Sequence, residues 1–209
     1  MTSADEGLLG LFPLGIVLLP GEVVPLHIFE ERYRLLVRER LDGGEFGIVL
    51  AEQDSIRECG CTARVTELIE ELDDGRMNIL VEGGRRFRLV ELRTPDDPEA
   101  EYLSGVVAYY DDGDEDAPDK LRAGVLDVFR RMLVLMDVET PRDPADEGLL
   151  SFRVASAVDF GAAFKQELLE SVSEEQRLTS LLVVMETLLP RLELRKDREE
   201  AIRGNGKGY

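Results

Sequence analysis

Nine residues, DDGDEDAPD at 111–119, divide the chain into two halves that follow different spacing rules. Before them, apolar residues come in short runs of strand length, punctuated by proline- and glycine-bearing turns. After them, apolar residues recur every three or four positions, the period of an amphipathic helix. With six acidic residues, one glycine and one proline, the divider reads as a solvated linker and not as a site of paired carboxylates. The expected fold class is therefore α+β. It comprises a small barrel-like β domain over 1–112 with one early helix, a helical subdomain over 118–203, and a flexible tail over 204–209.

In the first half, LGIVLL (14–19) suits a strand buried on both faces, and PG (20–21) a turn. EVVPLHIFE continues as an extended segment, with Pro25 placed at an edge or bend. A helix starts near Glu30, with Phe29, Tyr33, Leu36, Val37 and Leu41 on one stripe, and DGG at 42–44 stops it. FGIVLA (46–51) is a strand candidate. TARVTELIEEL and RMNILVEG flank DDG as a hairpin, and RRFRLVEL (85–92) and YLSGVVAYY (102–110) add two further strands. The apolar phase slips between Val65 and Leu68, which predicts a bulge.

In the second half, Leu121, Val125, Val128, Phe129, Met132 and Met136 share one helical face. TPRDP (140–144) ends that helix. SEEQ at 173–176 forms a capping box with Ser173 as cap. It opens a helix carrying Leu178, Leu181, Leu182, Met185, Leu188 and Leu189, which Pro190 ends or kinks.

The chemistry is marked by what is missing. At 209 residues with 44% apolar content, the chain supports a packed core. Its apolar runs are far shorter than a membrane span needs, and MTSADEG has no signal-peptide pattern, so no membrane is expected and the compartment is expected to be cytoplasmic. A net charge of −19 opposes a phosphate backbone, so no nucleic-acid partner is expected; GGRRFR (83–88) is the one compact basic cluster within the expected fold. There is no phosphate-binding loop, nucleophile elbow or zinc-protease helix. Cys59 and Cys61 with a single histidine fall short of a structural zinc set; at strand spacing they share one face and suit buried thiols. His27 lies opposite Leu26 and Ile28, without a nucleophile or orienting group nearby, and Lys165 lacks the glycine-rich setting of a serine–lysine dyad. The expectation is a protein that is not an enzyme and calls for no cofactor or metal.

LFPLGIVLLPGEVVPLHIFEERYR, CGCTARVTEL and DGRMNILVEGGRRFRLVEL occur in order over about 100 residues. Together they resemble the amino-terminal, substrate-binding domain of the Lon protease family. FKQELLESVSEEQRLTSLLVVMETL is similar to the helical segment that follows in that family. The resemblance implies a PUA-like β domain followed by a helical bundle. It also implies a stand-alone protein of this kind, without the ATPase and protease modules, so the family's peptidase activity is not carried over.

Three functions are weighed. The first is a module that recognises exposed or unfolded, degron-bearing polypeptide, as an adaptor for a separate protease. The second is a small-molecule or regulatory domain with a pocket between sheet and helices. An independent hydrolase is the third. For the first, Leu35 lies about 180° from the centre of the first helix's apolar stripe, ringed by Glu31, Arg32, Arg38 and Glu39. Those five residues are the candidate peptide-binding patch.

Overall fold

A computed structural model describes residues 6–53, 55–97, 101–112, 117–138 and 149–205. Residues 113–116 of the acidic run, TPRDP and the tail beyond 205 lie outside them. The chain forms two compact units. One comprises residues 1–113 with Val158–Glu170, and the other comprises residues 114–157 and 171–209.

The first unit holds six strands: β1 (Glu6–Leu14), β2 (Val23–Ile28), β3 (Glu45–Glu52), β4 (Ser55–Glu71), β5 (Met77–Arg93) and β6 (Ser104–Tyr109). It also holds α1 (Glu31–Arg38) and α4 (Ala162–Glu170). The sheet order is β2-β5-β4-β3-β1-β6, and β5 also pairs with β6. Strands β5, β4, β3, β1 and β6 thus close on themselves, which removes their free edges. Leu9, Leu11, Val49, Phe87, Leu89 and Val107 form the enclosed core. β1 and β3 are parallel and every other pair is antiparallel.

Three strand expectations need correction. RMNILVEG and RRFRLVEL are not two strands but one, the 17-residue β5. Its first part, Met77–Glu82, pairs with β2, and its second, Phe87–Arg93, pairs with β6. Between them, Gly83 donates its N–H to Glu22 O and accepts from Gly21 N–H, both at 2.8 Å. A Cβ on Gly83 would stand 2.1 Å from Leu19 O, so only glycine admits this crossing.

LGIVLL is not a strand either: β1 ends at Leu14. Val17, Leu18 and Leu19 are buried all the same. Part of their backbone is satisfied by a side chain instead of a ladder, because the buried Glu22 carboxylate accepts from Leu19 N–H at 3.0 Å. Lys165 of α4 donates to the other Glu22 oxygen, at 2.5 Å. The third correction concerns β1 itself, which begins at Glu6, ahead of the expected start.

Other readings agree. Pro25 lies in β2, which pairs with β5 only among the described residues, so its missing N–H sits on an edge strand. The bulge occurs between Val65 and Glu67. Gly75, at φ 81°, makes the hairpin turn. The α1 stripe is shorter than expected. Tyr33, Leu36 and Val37 are buried, with Tyr33 stacked on Phe12 at 4.1 Å. Phe29 and Leu41, which lie outside the helix, are exposed.

The first unit differs from the expected 1–112 domain by including α4. Gln166 donates to Cys59 O at 3.0 Å, and the buried Arg86 donates to Leu169 O at 2.7 Å, at the helix's carbonyl end. A guanidinium there satisfies an orphan carbonyl and complements the helix dipole.

The second unit contains α2 (Asp119–Met136), α3 (Leu150–Ala157) and α5 (Glu174–Asn205). α5 packs against both of the others. Val125, Val128, Phe129 and Met132 of α2, and Leu178, Leu181, Met185 and Leu189 of α5, are buried. Leu121, Met136, Leu182 and Leu188 of the expected faces are only half-buried. Ser173 Oγ accepts from Gln176 N–H at 3.4 Å as α5 begins. Pro190 does not end α5, which continues to Asn205 and so takes in residues 204–205 of the expected tail. Thr179 and Thr187 hydroxyls donate to carbonyls four residues earlier on the same helix. No helix among the described residues is long and apolar enough to cross a membrane.

Candidate functional site

The β4–β5 hairpin carries the sheet beyond the barrel, and α1 is tied to its tip. Arg34 Nη1 donates to Asp74 O, and Arg38 Nη2 to Glu71 Oε1, each at 2.6 Å. Glu71 pairs with Met77, and Leu68 with Ile79. Met77 and Ile79 are two residues apart on one strand, so Glu71 and Leu68 share a face. Leu35 stands next to Arg38 on α1, three residues before it. Leu35 on α1 and Leu68 on β4 thus each lie three residues from a member of the Arg38–Glu71 pair, with Ile69 at the adjoining bulge. Leu35, Leu68 and Ile69 are 42%, 41% and 52% exposed. Phe29, 60% exposed, precedes the helix.

The charges of both signs around Leu35 are mostly engaged with partners. Arg32 is engaged by Glu30 at 2.6 Å and lies over the Tyr33 ring. Arg38 is engaged by Glu71. Glu39 accepts from Arg40 at 2.9 Å and from the Tyr102 hydroxyl at 2.5 Å; these hydrogen bonds hold its carboxyl below the usual range. Of the expected charged residues only Glu31, exposed in the first turn, has no such partner among the described residues. The Arg38–Glu71 pair, about half exposed on each side, contributes about 0–1 kcal/mol and mainly fixes geometry.

A concavity in the same unit, of about 440 Å³, is lined by Glu52, Ser55, Ile56, Arg57, Glu58, Cys59, Arg88, Tyr110 and Glu170. Arg57 bridges Glu52 at 3.2 Å and Glu170 at 3.7 Å. Behind it, Arg86 is paired with Asp112 and lies under Tyr110. Both cysteines are free and buried. Burial pushes the Cys59 thiol up to about 11 and the Cys61 thiol well above its ordinary value, so both remain neutral near pH 7. His27 is exposed, its Nδ1 2.7 Å from Asn78 Oδ1. Asn78 Nδ2 in turn donates to Glu70 at 2.9 Å. The described residues hold no group of three candidate metal ligands.

The profile of the substrate-binding domain of ATP-dependent protease La (Lon) matches residues 9–187. The chain belongs to the Lon substrate-binding domain family. Lon proteases of Flavobacterium johnsoniae and Brucella melitensis are 23% and 29% identical to it, each over 93% of this chain. The chain spans about a quarter, 26%, of the length of those relatives. A Lon N-terminal domain protein from Xanthomonas campestris matches with a TM-score of 0.68 and 28% identity, over 85% of this chain and 98% of that one. The N-terminal domain of the Mycobacterium avium complex Lon protease shares the fold, with a TM-score of 0.63 at 20% identity, over 86% and 98% of the two chains.

Within this Lon-type domain, Leu35 stands out in the sequence by its phase, while Leu68 and Ile69 do not: the bulge keeps Leu68 on the face of Val65, since their partners Ile79 and Val81 are two residues apart.

Proposed function

We propose that this Lon substrate-binding domain is a non-enzymatic module that holds exposed apolar segments of unfolded or degron-bearing polypeptide, serving as an adaptor in ATP-dependent proteolysis. The observation that supports this reading is the exposure of Leu35, Leu68 and Ile69 on a helix and a hairpin that Arg34 and Arg38 tie to each other. A rigid surface loses little order on binding, so modest apolar contact is retained as affinity. β2 offers a weaker contact, because Pro25 removes one donor from its open edge.

The test is Leu35→Ser with Leu68→Ser. Covering what these side chains leave exposed is worth roughly 1–2 kcal/mol in total, so affinity for a denatured polypeptide should fall about five- to thirtyfold. Nucleotide should be unnecessary and the melting temperature should hold. Wild-type affinity in the double variant would remove the patch from the account.

A small-molecule site is the second reading, favoured by the cleft beside Arg57 and Arg88. It predicts thermal stabilisation by one metabolite and indifference to polypeptide.

A further inference from the structure

The outer face of the barrel changes character along β4 and β5. Cys59 pairs with Arg88 and Cys61 with Arg86, so all four side chains share one face, opposite the core residues Phe87 and Leu89. Cys59, Cys61 and Arg86 are 4%, 0% and 1% exposed, and α4 meets them through Gln166 and Leu169. The helix ends at Glu170, and Arg88, next along the face, is exposed in the cleft of about 440 Å³. The ionic groups there are matched unequally. Arg86 is taken by Asp112. Arg57 is shared by two carboxylates, Glu52 at 3.2 Å and Glu170 at 3.7 Å, which leaves that trio with negative charge in excess. The buried Gln166 steadies Glu170 by donating to it at 2.8 Å. Arg88 has no ion-pair partner among the described residues, although glutamates line the same cleft.

We infer that the cleft binds a free amino acid, with its carboxylate on Arg88 and its ammonium on the Glu52–Arg57–Glu170 trio. The inference rests on the small-molecule reading of the cleft given above and adds a ligand class to it. An unpaired guanidinium presents a planar fork that fits a carboxylate through two parallel bonds. A ligand that was only an anion would meet the surplus negative charge of the trio, and one that was only a cation would meet Arg88. A zwitterion satisfies both and excludes neither. Ile56 and Tyr110 add apolar lining for a side chain, and the volume falls within the range of small-molecule sites.

The experiment uses the 209-residue chain and each standard amino acid in free form, with inorganic phosphate and putrescine as singly signed probes. Binding is followed by thermal shift and then by titration calorimetry. At least one amino acid should raise the melting temperature. Its N-acetyl form, which lacks the ammonium, and its amide form, which lacks the carboxylate, should each bind about tenfold more weakly. Arg88→Met should weaken the free amino acid about tenfold and leave its amide form unchanged. Glu170→Gln should weaken the free amino acid and leave its N-acetyl form unchanged. Arg195→Met on α5, which alters the net charge as Arg88→Met does, should change none of these. Binding of phosphate, putrescine or the N-acetyl form as tightly as any free amino acid, lost in Arg88→Met or Glu170→Gln, overturns the zwitterion class and keeps the small-molecule reading. Amino-acid binding that neither cleft variant weakens overturns the placement. No response to any probe overturns both.

Discussion

Arg177→Met should destabilise the helical unit by about 3–5 kcal/mol. Arg177 has no exposed surface, yet every direction of its guanidinium is used. It donates to Ser151 Oγ at 3.0 Å and Ser171 O at 2.7 Å, pairs with Glu174 at 3.1 Å, and lies over the Phe152 ring. Glu174 is 1% exposed and accepts from the Ser151 N–H and hydroxyl. Without Arg177, its carboxylate keeps two neutral donors and loses its only cation among the described residues. An uncompensated buried charge is far more costly than the intact pair is beneficial. Arg177→Met with Glu174→Leu should therefore cost less than the sum of the single changes. Urea unfolding followed by helical circular dichroism checks both statements. A loss under about 1 kcal/mol for Arg177→Met would mean that water reaches the pair.

Gly83→Ala should cost about 3 kcal/mol or more, and its consequences should begin in the first unit. The added carbon would stand 2.1 Å from Leu19 O and 2.9 Å from Leu19 C, both backbone atoms. To make room, residues 19–22 must move away from β5. That breaks the two Gly83 backbone bonds and strains the Glu22 staple on Leu19 N–H and Lys165. Gly15→Ala is the control: nothing lies within 4 Å of its Cβ position, so the change should stay within about 0.5 kcal/mol. Amide hydrogen exchange at Leu19, Gly21 and Gly83 should accelerate in the Gly83 variant only. Equal stability of the two variants would show that the crossing is not held in place.

The parts of this fold that sequence made legible are those in which local chemistry and tertiary role coincide. Gly75 after two aspartates is a turn by composition, and it is a turn in place. The slip between Val65 and Leu68 breaks strand alternation, and the bulge lies there. The illegible parts are those in which the same residues serve either of two arrangements. Gly83–Gly84 looks like a stop, yet it is where one strand passes beneath a crossing backbone and changes partner. LGIVLL has the composition of a buried strand, but part of its backbone is satisfied by a carboxylate that periodicity does not register. α4 is helical by period, which says nothing of the layer it joins; Gln166, Lys165 and the Arg86–Leu169 bond decide that. At the candidate site, Leu35 was visible as an off-phase residue of a helix. Leu68 was not, because the contact that ties its hairpin to α1, Arg38–Glu71, spans 33 positions in sequence.

The central claim, that polypeptide is held at the corner of α1 and the β4–β5 hairpin, is tested most directly by titrating unfolded polypeptide into the isotopically labelled 209-residue chain and following backbone amide shifts. The account predicts that the largest shifts fall within 31–39 and 66–73, with Val134 and Val183, exposed on the other unit, unmoved. Shifts concentrated around Arg57, Arg88 and Tyr110, or an unchanged spectrum at saturating polypeptide, would contradict it.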